Sequence, residues 1–135
     1  MSIWKTSSTE SEKPWGTLKT WSAPWGVQGK VIYLKADHRT SLKYYLNKRE
    51  ALFCLSGKAV VFAPGEFEFG DNKTATGAEF YLEEGDVLMV QPNNPYRIRA
   101  YEDCVLVEVT YGGRNDQVHM MEDDFGRVKV SKITK

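Results

Sequence analysis

The stretch TSLKYYLNKREALFCLSGKAVVF, residues 40–62, decides how the chain folds. Its second half contains two short apolar runs, ALFCLSG (51–57) and KAVVFAPG (58–65), rich in β-branched and aromatic residues and parted at Ser56-Gly57. That pattern predicts two strands joined as a hairpin. Its first half alternates. In TSLKYYLN, Ser41, Lys43, Tyr45 and Asn47 fall on one side of a strand, and Leu42, Tyr44 and Leu46 on the other. The polar side of a strand is ordinarily solvated. In a small barrel that encloses a ligand, the same side lines the cavity. Periodicity alone favours solvent.

Outward from this stretch the same grammar repeats. KVIYLKA (30–36) precedes it. EFEFG (66–70), AEFYL (78–82), DVLMVQ (86–91), YRIRAY (96–101) and CVLVEVTY (104–111) follow, separated by the turn formers DNKTATG (71–77), EEGD and PNNP. Strands this short and this closely spaced, with no sustained 3.6-residue period, argue for an all-β sandwich or small barrel. Residues 1–12 are rich in serine, threonine and charge and read as a loose tail. Residues 13–135 read as one domain, which 135 residues accommodate.

Composition narrows the function classes. Lysine plus arginine and aspartate plus glutamate both number 18, giving a formal charge of zero. A nucleic-acid partner needs a clustered basic excess, so none is expected. No run approaches the roughly 20 apolar residues of a membrane span. The first residues lack the apolar core of a secretory signal. A soluble cytoplasmic protein is therefore expected. Cys54 and Cys104 each sit inside an apolar run and are expected as reduced core thiols, although spacing alone also allows a cross-strand disulfide.

The order of motifs resembles the cupins, and among them the type II mannose-6-phosphate isomerase domain that also forms the C-terminal part of bifunctional mannose-1-phosphate guanylyltransferases. KPWG (13–16), then SLKYYLNKREALFCLSGKA with its Glu50-to-Gly57 spacing, then GDVLMVQPNNPYRI, and finally VEVTYGG and EDDFGR, follow that family's sequence of motifs across about residues 13–127. The resemblance implies an antiparallel jelly-roll barrel, the double-stranded β-helix. It also implies a metal held by two histidines of the first motif, one of the second, and a glutamate. Here those positions carry Tyr45, Asn47 and Tyr96, and Glu50 alone is retained. His38 and His119, the two histidines of the chain, fall outside the ligand positions.

This substitution redirects the chemistry. Transition-metal sites of this kind rest on imidazole nitrogen, whereas phenol and amide oxygens are weak neutral donors. No tightly bound transition metal is expected. The resemblance then implies a degenerate, metal-free member that binds a sugar-like or other small polar ligand, a sugar phosphate among the candidates, through Lys43, Tyr45, Asn47, Glu50, Tyr96 and Arg97. One alternative is a sugar-phosphate or sugar-nucleotide isomerase in which Glu50, Tyr45 and Tyr96 carry the catalysis, Glu50 as base and a tyrosine as acid. Another is a structural or regulatory module whose barrel is plugged by Tyr45, Asn47, Glu50 and Tyr96 bonding one another. The tryptophans Trp4, Trp15, Trp21 and Trp25 are expected to lie across the barrel with their rings buried. Aromatic enrichment, and the habit of cupins to pair through their sheets, point to a homodimer. Asn93 stands where the second motif usually has glycine, a substitution that left-handed backbone tolerates.

Overall fold

Strand β10 (Cys104–Tyr111) organises the molecule, with β3 (Val27–Leu34) bonded to one edge and β5 (Arg49–Ser56) to the other, both antiparallel. The sheet extends through β2 (Gly16–Ser22) to β1 (Thr9–Lys13) on the β3 side and to β8 (Val87–Val90) on the β5 side, in the order β1-β2-β3-β10-β5-β8. A second sheet has the order β7-β6-β9, from β6 (Ala59–Ala63), β7 (Ala78–Leu82) and β9 (Arg97–Ala100). A two-stranded ribbon, β4 (Leu42–Tyr44) with β11 (His119–Glu122), joins that sheet through the bridges Lys43–Tyr96 and Arg39–Arg99. The structure, a computed structural model, describes residues 2–64, 77–112 and 118–122, and no helix occurs among them. The expected strand at 66–70, nearly all of the loop at 71–77, and the closing motif beyond 122 lie outside the described residues.

Two strands, β7 and β10, have the bounds their sequences suggest, and β3, β4, β5, β6, β8 and β9 lie within a few residues of theirs, whereas β1, β2 and β11 answer to no run read as a strand. One connection differs. β5 and β6 are not partners in a hairpin: β5 pairs with β10 and β8, whereas β6 pairs with β7 and β9. The chain crosses from one sheet to the other at Gly57, whose φ of 83° suits glycine. The Asp103 carbonyl and Cys104 lie against its Cα and leave no room for a side chain. Beside this crossing the β5–β10 register shifts between Val105 and Leu106. The first residues differ as well. Thr9–Lys13 pairs with β2, so the sheet begins inside the stretch that composition reads as a tail. The tryptophan-bearing segment is sheet and turn, not a strap with buried rings. Trp15 is buried, Trp21 lies over Gly29, and Trp4 and Trp25 are exposed with ring centroids 6.5 Å apart.

Between the sheets lies a core of Trp15, Ile32, Leu34, Leu52, Cys54, Val61, Ile98, Ala100, Cys104 and Leu106, among others. Both cysteines are free thiols. Burial, and then the neighbouring Cys54, push the Cys104 thiol up to about 12. Along the interior face the chemistry changes from one end to the other. Cys104, Leu106, Glu108 and Thr110 of β10 point inward in turn, facing Leu34, Ile32, Lys30 and Gln28 of β3. On β5, Glu50 leads into Leu52 and Cys54. The antiparallel ladder therefore collects Lys30, Glu50, Glu108 and Thr110 at one end of the barrel and leaves the other end apolar.

Candidate functional site

At the polar end, carboxyl groups, an ammonium group and phenols are packed where hydrocarbon is the rule. Glu108 is 1% exposed, Tyr96 2% and Glu50 5%. Groups so enclosed must find partners or lose about 1–3 kcal/mol each. The Tyr96 hydroxyl donates to Glu50 Oε2 at 2.7 Å. Lys30 Nζ donates to the Tyr45 hydroxyl at 3.3 Å and makes an ion pair with Glu108 Oε2 at 3.6 Å. That ion pair is too long for a hydrogen bond, and Glu108 Oε2 has no hydrogen-bond donor among the described residues other than the Glu50 carboxyl.

The electrostatics follow from this packing. Burial pushes the Glu50 carboxyl up to about 7, helped by the like charge of Glu108 and by a hydrogen bond between the two carboxyls; the Tyr96 bond and Lys43 pull the other way. Burial alone would pull Lys30 down, but Glu108 and Tyr45 outweigh it, so its ammonium is held more firmly than usual. Burial, then Glu108 and Glu50, carry Tyr96 well above the phenol range, so at neutral pH it is a donor.

The sequence-derived candidates separate on this geometry. Tyr45, Glu50 and Tyr96 come together. Lys43 joins them at the rim: its backbone exchanges hydrogen bonds with Tyr96 at 2.9 and 3.1 Å, and its Nζ lies 5.9 Å from that ring's centroid. Asn47 does not join. Strand β4 ends at Tyr44, the chain bends, and Asn47 is exposed, so the alternation that put it beside Tyr45 stops short of it. Arg97 is buried but alternates to the face opposite Tyr96, Ile98 and Ala100, and its Nε donates to the Thr40 carbonyl at 3.1 Å. Tyr45 is held from behind by its carbonyl, which accepts from Asn93 N–H at 2.8 Å; Asn93 has a φ of 66°, the left-handed conformation its motif position asks for.

Lys30 and Glu108 are not among the residues the sequence motifs point to, and they are the charged heart of the cluster. The signal for Glu108 was a carboxylate in the middle of CVLVEVTY, on the same parity as Cys104 and Leu106. The signal for Lys30 is weaker, since a lysine at the head of KVIYLKA reads as a strand end. Among the described residues no group of three or more histidine, cysteine, aspartate or glutamate side chains is placed to hold a metal ion.

Neither a family model nor a curated protein matches the sequence. Solved structures do. The capsular polysaccharide assembling protein CapF from Staphylococcus aureus matches 90% of this chain at 17% identity with a TM-score of 0.62, and oxalate decarboxylase from Lactobacillus farciminis, in a formate complex, matches 93% at 16% with 0.70. A Tyr-to-Phe variant of Streptomyces PAC13 with uridine matches 91% at 12% identity with 0.69. The fold is that of the cupins. The chain spans 31% of the CapF chain and 37% of the oxalate decarboxylase chain, but 93% of PAC13. At these identities the likeness speaks for the barrel alone. No helix among the described residues is long and apolar enough to cross a membrane.

Proposed function

We propose that this cupin binds a small polar, sugar-like ligand at the polar end of its barrel, without a resident transition metal. The observation that carries the reading is the buried group of Lys30, Tyr45, Glu50, Tyr96 and Glu108 at one end of the barrel, in which Glu108 Oε2, beside Lys30, has no hydrogen-bond donor among the described residues other than the Glu50 carboxyl. A ligand hydroxyl is a further donor that such a carboxylate oxygen can accept. CapF, a capsular polysaccharide protein, and PAC13, solved with uridine, support a sugar or nucleoside as the class of ligand. The motif order that resembles type II mannose-6-phosphate isomerase supports a sugar phosphate as the form to test first. The donor set supports the metal-free part of the reading: phenol oxygens stand at two of the positions where imidazoles would be needed, Asn47 has left the cluster, and an ammonium already balances Glu108.

A second reading, a sugar isomerase, is favoured by one observation. Glu50, held near neutrality against the Tyr96 hydroxyl, has the protonation range and the partner that a general acid–base residue needs. A plugged, purely structural barrel is supported by the Tyr96–Glu50, Lys30–Tyr45 and Glu50–Glu108 contacts and predicts no rise in melting temperature with any of these ligands. The functional reading includes a homodimer in the cytoplasm.

Thermal-shift screening of the full chain against sugars, sugar phosphates and nucleosides, with and without divalent metal, tests the proposal. A ligand that binds the native state raises the melting temperature. The expected result is a rise for one of these classes that does not require metal, in protein that elemental analysis finds free of stoichiometric zinc, iron, nickel or manganese. A stoichiometric metal, or a rise seen only with metal added, would overturn it.

A further inference from the structure

The two carboxyl groups stand on neighbouring strands and one interior face, because Thr110 lies opposite Glu50 and Glu108 opposite Leu52. Like charges enclosed this closely do not both ionise freely. Among the described residues the charged neighbours are few. Lys30 from β3 lies on the Glu108 side at 3.6 Å. Lys43 from β4 stands over the Tyr96 ring, and Lys48 lies 5.0 Å from the Tyr45 centroid, both nearer the rim. Inside, then, one ammonium balances one carboxylate. Tyr96 already occupies Oε2 of Glu50, which leaves Oε1 for a proton. Glu108 Oε2, nearly fully buried, has no donor among the described residues apart from the Glu50 carboxyl, which is hydrogen-bonded to that of Glu108 when it carries its proton.

We propose that Glu50 and Glu108 hold a single proton between them, with Lys30 fixing the charge on Glu108, so that the pair grips a vicinal diol of the ligand as donor and acceptor at once. The inference rests on the ligand-binding reading above and adds the chemical class and its pH dependence. Without ligand that proton lies between the two carboxyls; when the diol enters between them, the Glu50 O–H turns to donate to one ligand oxygen, and Glu108 Oε2 accepts from the neighbouring hydroxyl. Once the proton leaves, both carboxylates are acceptors only. They repel each other, and the diol loses its donor. Burial and the Glu108 charge place that loss near neutrality; Lys43 opposes them, and Tyr96 stays a phenol throughout.

The test uses the full chain labelled with ¹³C at its glutamate carboxyls, followed by NMR across pH. One carboxyl is expected to titrate near neutral pH, to vanish in Glu50→Gln, and to move down toward the ordinary range in Glu108→Gln. If every glutamate carboxyl of the parent titrates below about pH 5, the shared proton is refuted. Ribose and 2-deoxyribose then probe the grip at about pH 6 and about pH 8.5. Ribose should bind at least about tenfold more tightly at the lower pH, because only the protonated fraction is competent. 2-Deoxyribose, supplied as its methyl furanoside so that no two neighbouring carbons both carry hydroxyls, should bind more weakly than methyl ribofuranoside, and Glu50→Gln should flatten the pH profile. Equal ribose affinity at both pH values overturns the inference and leaves the ligand reading standing. Failure of every saccharide to bind at either pH overturns both.

Discussion

Glu50 ties the site to the stability of the whole chain. Its carboxyl holds a proton up to about 7 in the folded protein, against 4.5 ordinarily. Between these values the folded state binds more protons than the unfolded state, so stability falls as pH rises through this window and levels off above it. The expected loss between about pH 4.5 and pH 8 is about 3 kcal/mol by denaturant titration, and Glu50→Gln should abolish most of that slope. A parent that is equally stable at both ends would show that the Glu50 carboxyl ionises freely. Tyr45, Glu50 and Tyr96 were legible because they occupy motif positions. Glu108 and Lys30 were not, because each acquires its meaning only from a cross-strand partner: Glu108 faces Lys30 in the β10–β3 register, and that register is a property of the sheet. Asn47 was misplaced for the converse reason, since alternation holds only while the strand lasts, and β4 is three residues long.

At the scale of elements, the Ser56-Gly57 turn shows what local pattern leaves open. Two apolar runs around a glycine look alike whether they fold back on each other or pass from one sheet to the next. What separates the cases is the distant Asp103–Cys104 backbone packed against Gly57. Gly57→Ala should therefore cost more than the roughly 1 kcal/mol of a left-handed alanine, in the range of about 2–4 kcal/mol, because the added methyl meets backbone rather than a side chain that can swing away. Gly26→Ala, where φ is 80° but nothing lies within 4 Å, is the control and should lose only about 1 kcal/mol. Equal losses at the two positions would show that the crossing at Gly57 is not tightly packed. Strand β1 escaped notice because TESEK carries no apolar alternation: it is an exposed edge, held by its ladder to β2 and by contacts such as Lys19–Glu10 at 3.9 Å.

At the scale of the molecule, the outer face of the six-stranded sheet is the unusual surface. Tyr33, Phe53, Val87, Met89, Val109 and Tyr111 are exposed on neighbouring strands, with Phe53 opposite Val87 and Val107, and Met89 opposite Ala51. A contiguous apolar sheet face of this kind is where the proposed homodimer would close. Light scattering should give twice the chain mass, and Phe53→Glu should give monomer with the thermal transition kept. A parent that is monomeric at all working concentrations would exclude the dimer.

The two interior thiols have a use in the laboratory. Cys54 and Cys104 are buried, and Cys104 holds its proton to about 12. A thiol reagent consumes thiolate and cannot enter the folded barrel, so it modifies these sulfurs only during openings that expose the core. In native buffer the labelling rate is therefore a clock for breathing of the core. Slowing of that clock by a candidate ligand would register binding without any knowledge of the reaction the ligand undergoes.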